Sequence, residues 1–329
     1  MKFLKYFLII PLFLNAELVI EITKSSDNPY RIALIPFQGE SGAAKQANEI
    51  VKNDLIRTGE FYIFDEKSLI AYPPSEEDIN YGDWRLINAD FLLLTSVIDS
   101  NSGIEARYEI FDVRKKSKIR SSKVYGVTNN VRQLAHYVSD GIYEAITGIQ
   151  GVASTKILYV SQSNDVDTSY RLYVADADGV NEQLLVKSPE PIISPAWSPD
   201  SKKVAYVSFE TGIANVYIQD ISTGERQSII EKRCLTCISN EQISSPSWSP
   251  DGKYLSLTLY QDGNAEIYIY NLQKRNLTRL TNHYSIDTES QWSPDGRKLM
   301  FTSGRSGSPQ LYELDLRKLN KKPKRLTFE

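Results

Sequence analysis

Trp197-Ser198-Pro199-Asp200-Ser201, Trp248-Ser249-Pro250-Asp251-Gly252 and Trp292-Ser293-Pro294-Asp295-Gly296 are three near copies of one pentapeptide, with tryptophans 51 and 44 residues apart. The same order of elements follows each copy. Alternating strands at 203–209, 254–260 and 298–303 lead into polar turns at 210–212, 261–263 and 304–307. Second strands follow at 214–219, 266–270 and 310–314, and short closing strands at 224–230 and 276–280. Four strands in about 44 residues is the period of a β-propeller blade. Within the motif, proline fixes the turn, aspartate accepts hydrogen bonds from nearby amides, and glycine takes the positive-φ position. The tryptophan is expected to pack between blades. Turn chemistry accounts for Asp200, Asp251 and Asp295, so no catalytic role is assigned to them.

Working towards the N-terminus, strands at 156–159, 170–176 and 183–186 make an earlier unit with no Trp-Ser-Pro-Asp strand ahead of it. Towards the other end, residues 325–329 read as the outer strand of the last blade. Three full blades and one without its innermost strand leave two unpaired edges. Propellers close such edges by pairing the two ends. The expectation is therefore a natural protein that continues past Glu329 with about two further repeats.

The region before the repeats mixes periods. Strands are predicted at 18–22, 31–37, 61–64 and 91–97, with a hairpin over 104–113 and 118–127. Ala43, Ala47, Ile50, Val51 and Leu55 form a helical stripe over 43–57 that stops at Gly59. Val131, Leu134, Ala135, Val138, Ile142 and Ala145 form another over 131–146, which Asn129 or Asn130 can cap and Gly148 can end. Two helices on a mixed sheet make an N-terminal α/β domain over 17–150, followed by the propeller over 151–329. Gly39-Glu40-Ser41-Gly42-Ala43-Ala44-Lys45 mimics a phosphate loop but lacks its spacing and its Gly-Lys-Ser/Thr ending. Arg114-Lys115-Lys116 reads as a solvated hairpin tip.

Residues 1–16, MKFLKYFLIIPLFLNA, place Lys2 and Lys5 before an apolar run and a small residue before Glu17. This is the pattern of a cleaved secretory signal, with an uncleaved anchor or a buried strand as the alternative. No other stretch reads as a membrane span. The 329 residues carry 38 Lys plus Arg against 41 Asp plus Glu, which gives no general attraction to nucleic acid. Two histidines, His136 and His283, and two cysteines are too few for a multi-ligand zinc or iron–sulfur site, so neither a metal nor a cofactor is expected. Cys234 and Cys237 lie in the long spacer between the first two Trp repeats. A local disulfide, free thiols and a redox pair all fit that spacing, and a secreted chain favours the disulfide.

Signal, small α/β domain and Trp-Ser-Pro-Asp-Gly repeats together resemble the TolB family of the Tol–Pal system. The most specific stretches are Ile146-Thr147-Gly148-Ile149 running into Lys156-Ile157-Leu158-Tyr159-Val160, the run from Ser188 to Asp200, and the blade-ending Arg279-Leu280-Thr281 and Arg325-Leu326-Thr327. The resemblance implies a six-bladed propeller and a non-enzymatic periplasmic adaptor. It would bind the lipoprotein Pal at the propeller mouth, contact TolA through its N-terminus, and support outer-membrane integrity and constriction in division. Other outer-membrane or periplasmic partners are compatible with it; nucleic acid is not. It nominates Glu190, Ser194, Gln242, Ser245, Thr288 and Glu289 as mouth residues. It nominates Glu17, Leu18, Val19, Ile20, Glu21 and Ile22 for the TolA-linked role. A propeller peptidase would need Gly-x-Ser-x-Gly, and Gly304-Arg305-Ser306-Gly307 lacks that spacing. A periplasmic propeller binding a small ligand or polysaccharide is the remaining alternative.

Overall fold

The structure, a computed structural model, describes residues 28–39, 42–100, 103–126, 130–163, 169–229, 242–261, 263–317 and 322–328. They form two compact units that divide between Ser154 and Thr155. Asp140 explains the position of the divide: its carboxylate accepts the amides of Ala153 (2.6 Å) and Ser154 (3.0 Å), tying that segment to the first unit.

In the first unit, β1 (Tyr30–Leu34) runs parallel to β2 (Phe61–Ile63) and β3 (Phe91–Ser100). Antiparallel β4 (Gly103–Asp112) and β5 (Ser117–Gly126) complete a five-stranded mixed sheet in the order β2-β1-β3-β4-β5. β1 stops before Ile35-Pro36 rather than running to Phe37, since proline has no amide for the ladder. Side chains alternate across the sheet. Ile32, Leu34, Leu93 and Val97 face one core with α1 (Gly42–Arg57), while Ala33, Ile35, Leu92 and Leu94 face the other. That second core holds Trp84 of a short helix, α2 (Tyr81–Leu86), whose start is capped by the Asn80 side chain accepting from Gly82 N. This third helix was not foreseen, because six residues are too few for a helical stripe to register. α3 (Val131–Thr147) joins α1 on the first face. Asn130 caps it by accepting from Gln133 N (3.2 Å), and Gly148 closes it in the left-handed region at φ 76°.

The phosphate-loop mimic has a structural use. A Cβ on Gly39 would lie 2.6 Å from the carbonyl oxygen of Val97, so only glycine lets this segment run against β3.

The second unit is four antiparallel sheets. Blade 1 is β6 (Lys156–Gln162), β7 (Tyr170–Asp176) and β8 (Gln183–Ser188). Blade 2 is β9 (Ile192–Trp197), β10 (Lys203–Ser208), β11 (Asn215–Asp220) and β12 (Arg226–Ser228). Blade 3 is β13 (Gln242–Trp248), β14 (Tyr254–Gln261), β15 (Asn264–Asn271) and β16 (Asn276–Arg279). Blade 4 is β17 (Asp287–Trp292), β18 (Lys298–Ser303), β19 (Gln310–Asp315) and β20 (Lys324–Arg325). The predicted order of strands holds, including the three-stranded first blade.

The middle strand β10 is apolar on both faces because blade 2 is sandwiched between blades 1 and 3. Val204 and Tyr206 of β10 pack against Leu172 and Val186 of blade 1. Their alternates Ala205 and Val207 pack against Ile243, Leu255 and Leu257 of blade 3. Ile267 of blade 3 meets Leu299, Phe301 and Leu314 of blade 4. The tryptophans join blades by hydrogen bonds as well. Trp248 Nε1 donates to Ala196 O (3.3 Å), and Trp292 Nε1 to Ser247 O (3.1 Å).

Candidate functional site

The inner strands β9, β13 and β17 share one irregularity. Their pairing to the second strand slips between Ala205 and Val207, between Ser244 and Ser247, and between Thr288 and Gln291. At each slip one residue sits in the left-handed region: Ser194 (φ 51°), Ser245 (φ 52°) and Glu289 (φ 56°). In two of the three, Pro195 and Pro246 follow. A proline cannot donate to the ladder, so Ser-Pro before the tryptophan forces a bulge there. Non-glycine residues at positive φ each carry about 1 kcal/mol or more of strain. Such strain, repeated in register on three strands, marks a place where backbone is re-aimed.

The bulges converge. Ser194, Pro195, Ala196, Ser245, Ser247, Glu289 and Gln291 line a cavity of about 580 Å³, floored by Trp197 and Trp248. Among the described residues, Glu289 is its one ionisable side chain. Ser247 Oγ donates to Gln291 Oε1 (3.0 Å) across the two blades, and Glu289 N donates to Thr258 Oγ1 (3.3 Å), which fixes the third bulge.

Of the six nominated mouth residues, Ser194, Ser245 and Glu289 line this cavity. Glu190, Gln242 and Thr288 do not. Glu190 is exposed in the loop before β9, and its amide donates to Ser188 Oγ (3.0 Å). Gln242 is exposed at the start of β13, opposite Tyr260. Thr288 is half-buried, with its hydroxyl 3.3 Å from that of Thr258. Ser247 and Gln291 were not foreseen. Their signal is position: both stand immediately before a motif tryptophan, on the strand already read as innermost. The nominated Glu17, Leu18, Val19, Ile20, Glu21 and Ile22, together with Cys234 and Cys237, lie outside the described residues.

The turn aspartates repeat one geometry three times. Asp200 Oδ1 accepts Ser198 Oγ (2.6 Å) and the amide of Lys202 (3.1 Å), and Ser198 Oγ accepts the amide of Lys203 (2.9 Å). Asp251 does the same with Ser249, Lys253 and Tyr254, and Asp295 with Ser293, Arg297 and Lys298. In each, the serine hydroxyl holds the carboxyl below the usual aspartate value. These carboxylates are committed to their turns, as the motif chemistry predicts.

Both histidines are accounted for structurally. His136 Nδ1 lies 2.7 Å from Asp54 Oδ2, and Ser139 Oγ donates to the same oxygen (2.8 Å). Serine and histidine therefore share the carboxylate rather than bonding to each other, which is not the arrangement that activates a serine nucleophile. His283 Nδ1 accepts Ser285 N (3.1 Å), and its ring packs 4.2 Å from that of Tyr284. Within neither unit do three metal-ligating side chains come together among the described residues. Nor is any helix there long and apolar enough to cross a membrane.

Residues 143–329 match the family described as the TolB beta propeller domain, and residues 18–119 the TolB amino-terminal domain. The Tol-Pal system protein TolB of Alcanivorax borkumensis is 40% identical over 251 residues, which is 76% of this chain and 56% of that protein. That of Hahella chejuensis is 42% identical over 220 residues, 65% of this chain and 51% of the relative. The crystal structure of TolB from Acinetobacter baumannii superposes with a TM-score of 0.82 at 38% identity, covering 94% of this chain and 74% of that one. The chain spans about half the length of the curated relatives it matches. Repeat, bulged inner strands and α/β domain thus have a common source: the chain belongs to the TolB family.

Proposed function

We propose that the chain acts in the periplasm as a non-catalytic adaptor of the Tol–Pal system. In this reading the propeller captures the lipoprotein Pal over the bulge-lined cavity, and residues 17–22 contact TolA. The adaptor thereby contributes to outer-membrane integrity and to envelope constriction in division. The observation that carries the reading is the convergence of Ser194, Ser245 and Glu289 on one cavity. Left-handed backbone at the same point of three strands presents a fixed polar rim, and the Glu289 carboxylate on it favours a partner that brings donors or a cation. Strain of this kind is kept where the surroundings hold it for a use.

The test is capture of purified Pal by the immobilised chain. Reversing charge at Glu289 on the rim and at Glu190 in the exposed loop before β9, with Glu190→Lys and Glu289→Lys together, should weaken capture, most strongly at low salt, because peripheral charges act chiefly on association. Lys274→Glu, on the turn before β16, should leave it unchanged. Full capture by the double variant moves the Pal site off this rim. A cavity of about 580 Å³ also falls within the range that takes small ligands. Failure to capture Pal at all, with saturable binding of a small molecule there, would favour that second reading.

A further inference from the structure

Strand direction places the Ser-Pro-Asp turns and the turns between the third and fourth strands of each blade at one end. Leu272 N donates to Lys253 O (3.1 Å) in blade 3, and Leu316 N to Arg297 O (2.9 Å) in blade 4. The bulge-lined rim lies towards the start of the inner strands, and this end lies beyond their tryptophans. Here a second cavity, about 490 Å³, opens between blades 3 and 4. Tyr254, Trp292, Ile269, Leu316, Asp251 and Asp295 are among the residues lining it.

Three features set this groove apart. The first is an aromatic wall. The rings of Tyr254 and Trp292 stack with centroids 6.4 Å apart and planes 28° from parallel. The tyrosine is particular to this groove: at the matching position after the motif, blade 2 has Lys203 and blade 4 has Lys298. The second is the pair of carboxylates. Asp251 and Asp295 are exposed and each use Oδ1 to hold their turn; Asp251 Oδ2 pairs with Lys253 Nζ (3.6 Å), and Asp295 keeps an acceptor edge facing solvent. The third is charge. Lys253, Lys274, Arg275, Arg297, Arg317 and Lys322 are all exposed on the turns of blades 3 and 4. Asp251 and Asp295 answer them in part, and Asp315 binds the Arg317 guanidinium through both oxygens (3.0 and 2.8 Å). Among the described residues of these turns in blades 3 and 4, the balance is positive.

We propose that this groove is a saccharide site for an anionic glycan. A pyranose ring lies along the Tyr254–Trp292 wall, because aromatic side chains offer a large apolar face beside polar groups. Its hydroxyls donate to the open edge of Asp295 and to Asp251 Oδ2, where they compete with the exposed Lys253 ammonium. Its carboxylate or sulfate groups meet Arg297 and the neighbouring cations, which a neutral sugar does not engage. The site is separate from the rim assigned to Pal and stands without that assignment.

The experiment is calorimetric titration of the full chain with a heparin-derived tetrasaccharide and, in parallel, with neutral chitotetraose. Saturable binding of the first that weakens with salt, and weaker binding of the second, is expected. Tyr254→Lys installs the residue that blades 2 and 4 carry, so the turn should still form. It should weaken the heparin tetrasaccharide about tenfold despite the added positive charge, whereas Tyr254→Phe should bind as the native chain does. Arg297→Gln should lower affinity and flatten the salt dependence. Unchanged or tighter binding by Tyr254→Lys would overturn the proposal, since the basic turns would then be collecting any polyanion. So would equal binding of the neutral sugar. Capture of phosphatidylglycerol vesicles without saccharide binding would assign the surface to lipid instead and would equally overturn it.

Discussion

The hydroxyl of Thr281 donates to the buried carboxylate of Glu266 at 2.6 Å and accepts the amide of Ile267 at 2.9 Å. Arg279 completes the clamp, with Nε to Thr281 O (2.7 Å) and an Nη to Glu266 Oε1 (2.8 Å). Blade 4 repeats it with a neutral acceptor: Thr327 Oγ1 donates to Gln310 Oε1 (2.5 Å), accepts Leu311 N (3.0 Å), and its carbonyl takes Arg325 Nε (2.5 Å). The blade-ending Arg-Leu-Thr is thus a device that locks the outer strand onto the third.

Because glutamine fills the acceptor position in blade 4, Glu266→Gln should keep the clamp and cost less than about 1 kcal/mol. Glu266→Ala strands Arg279, Thr281 and the amide of His283 without their acceptor, and should cost about 2–3 kcal/mol. Urea midpoints of the two variants decide it. Equal losses would show that the carboxylate serves packing alone.

The left-handed bulges carry the opposite expectation at one position. Ser245 is half-buried at φ 52° with its neighbours fixed by Pro246. Ser245→Gly removes the strain and should leave the melting temperature unchanged or slightly raised. Ser245→Val, β-branched at positive φ, should lower stability by about 1–2 kcal/mol. A stable valine variant would mean that the bulge relaxes without cost.

The turn carboxylates set a pH dependence. Each is held below its usual value, 3.8, by a serine hydroxyl. A depressed folded value means the unfolded chain binds the proton first, so the turns contribute stability above that pH and lose it as pH falls through the folded values. Between pH 5 and pH 2 the urea midpoint should fall, and the fall should be shallower in a Ser198→Ala, Ser249→Ala, Ser293→Ala triple variant. An identical slope would place the acid sensitivity in other groups.

Much of this was legible in sequence, for physical reasons that differ by element. The Trp-Ser-Pro-Asp repeat declared the blades because each turn must satisfy the same amides with the same serine and aspartate. The stripes on α1 and α3 declared helices because one face of each meets the sheet. α2 left no periodic trace, since Trp84 alone carries its burial. The candidate site was half legible. Position before a tryptophan pointed to Ser194, Ser245 and Glu289, but the cavity depends on a bulge that re-aims one residue per strand. Taking the whole segment before each tryptophan as the mouth also nominated Glu190, Gln242 and Thr288, and it passed over Ser247 and Gln291.

The first unit depends on Asp54. The carboxylate is 3% exposed on α1 and takes three donors: His136 Nδ1 and Ser139 Oγ from α3, and an Arg57 Nη at 3.1 Å from its own helix. It is a polar joint between two helices that also share an apolar cluster, including Ala47, Val51, Ala135 and Val138. Asp54→Ala leaves the His136 Nδ1 buried with nothing to accept from it, while the Ser139 hydroxyl keeps only Ala135 O (3.0 Å), so it should cost about 3 kcal/mol. Asp54→Asn keeps a carbonyl oxygen for one donor and should lose less. Replacing the buried part of the joint by Asp54→Leu, His136→Leu and Ser139→Ala should recover much of the loss, because no buried partner is left orphaned and the exposed Arg57 guanidinium turns to solvent. Hydrogen exchange of the α1 and α3 amides separates this from a global effect. Protection should drop in both helices of the alanine variant and return in the triple variant, while β10, β14 and β18 stay protected in each. An alanine variant with native exchange would show that the apolar contacts hold the helices without the joint.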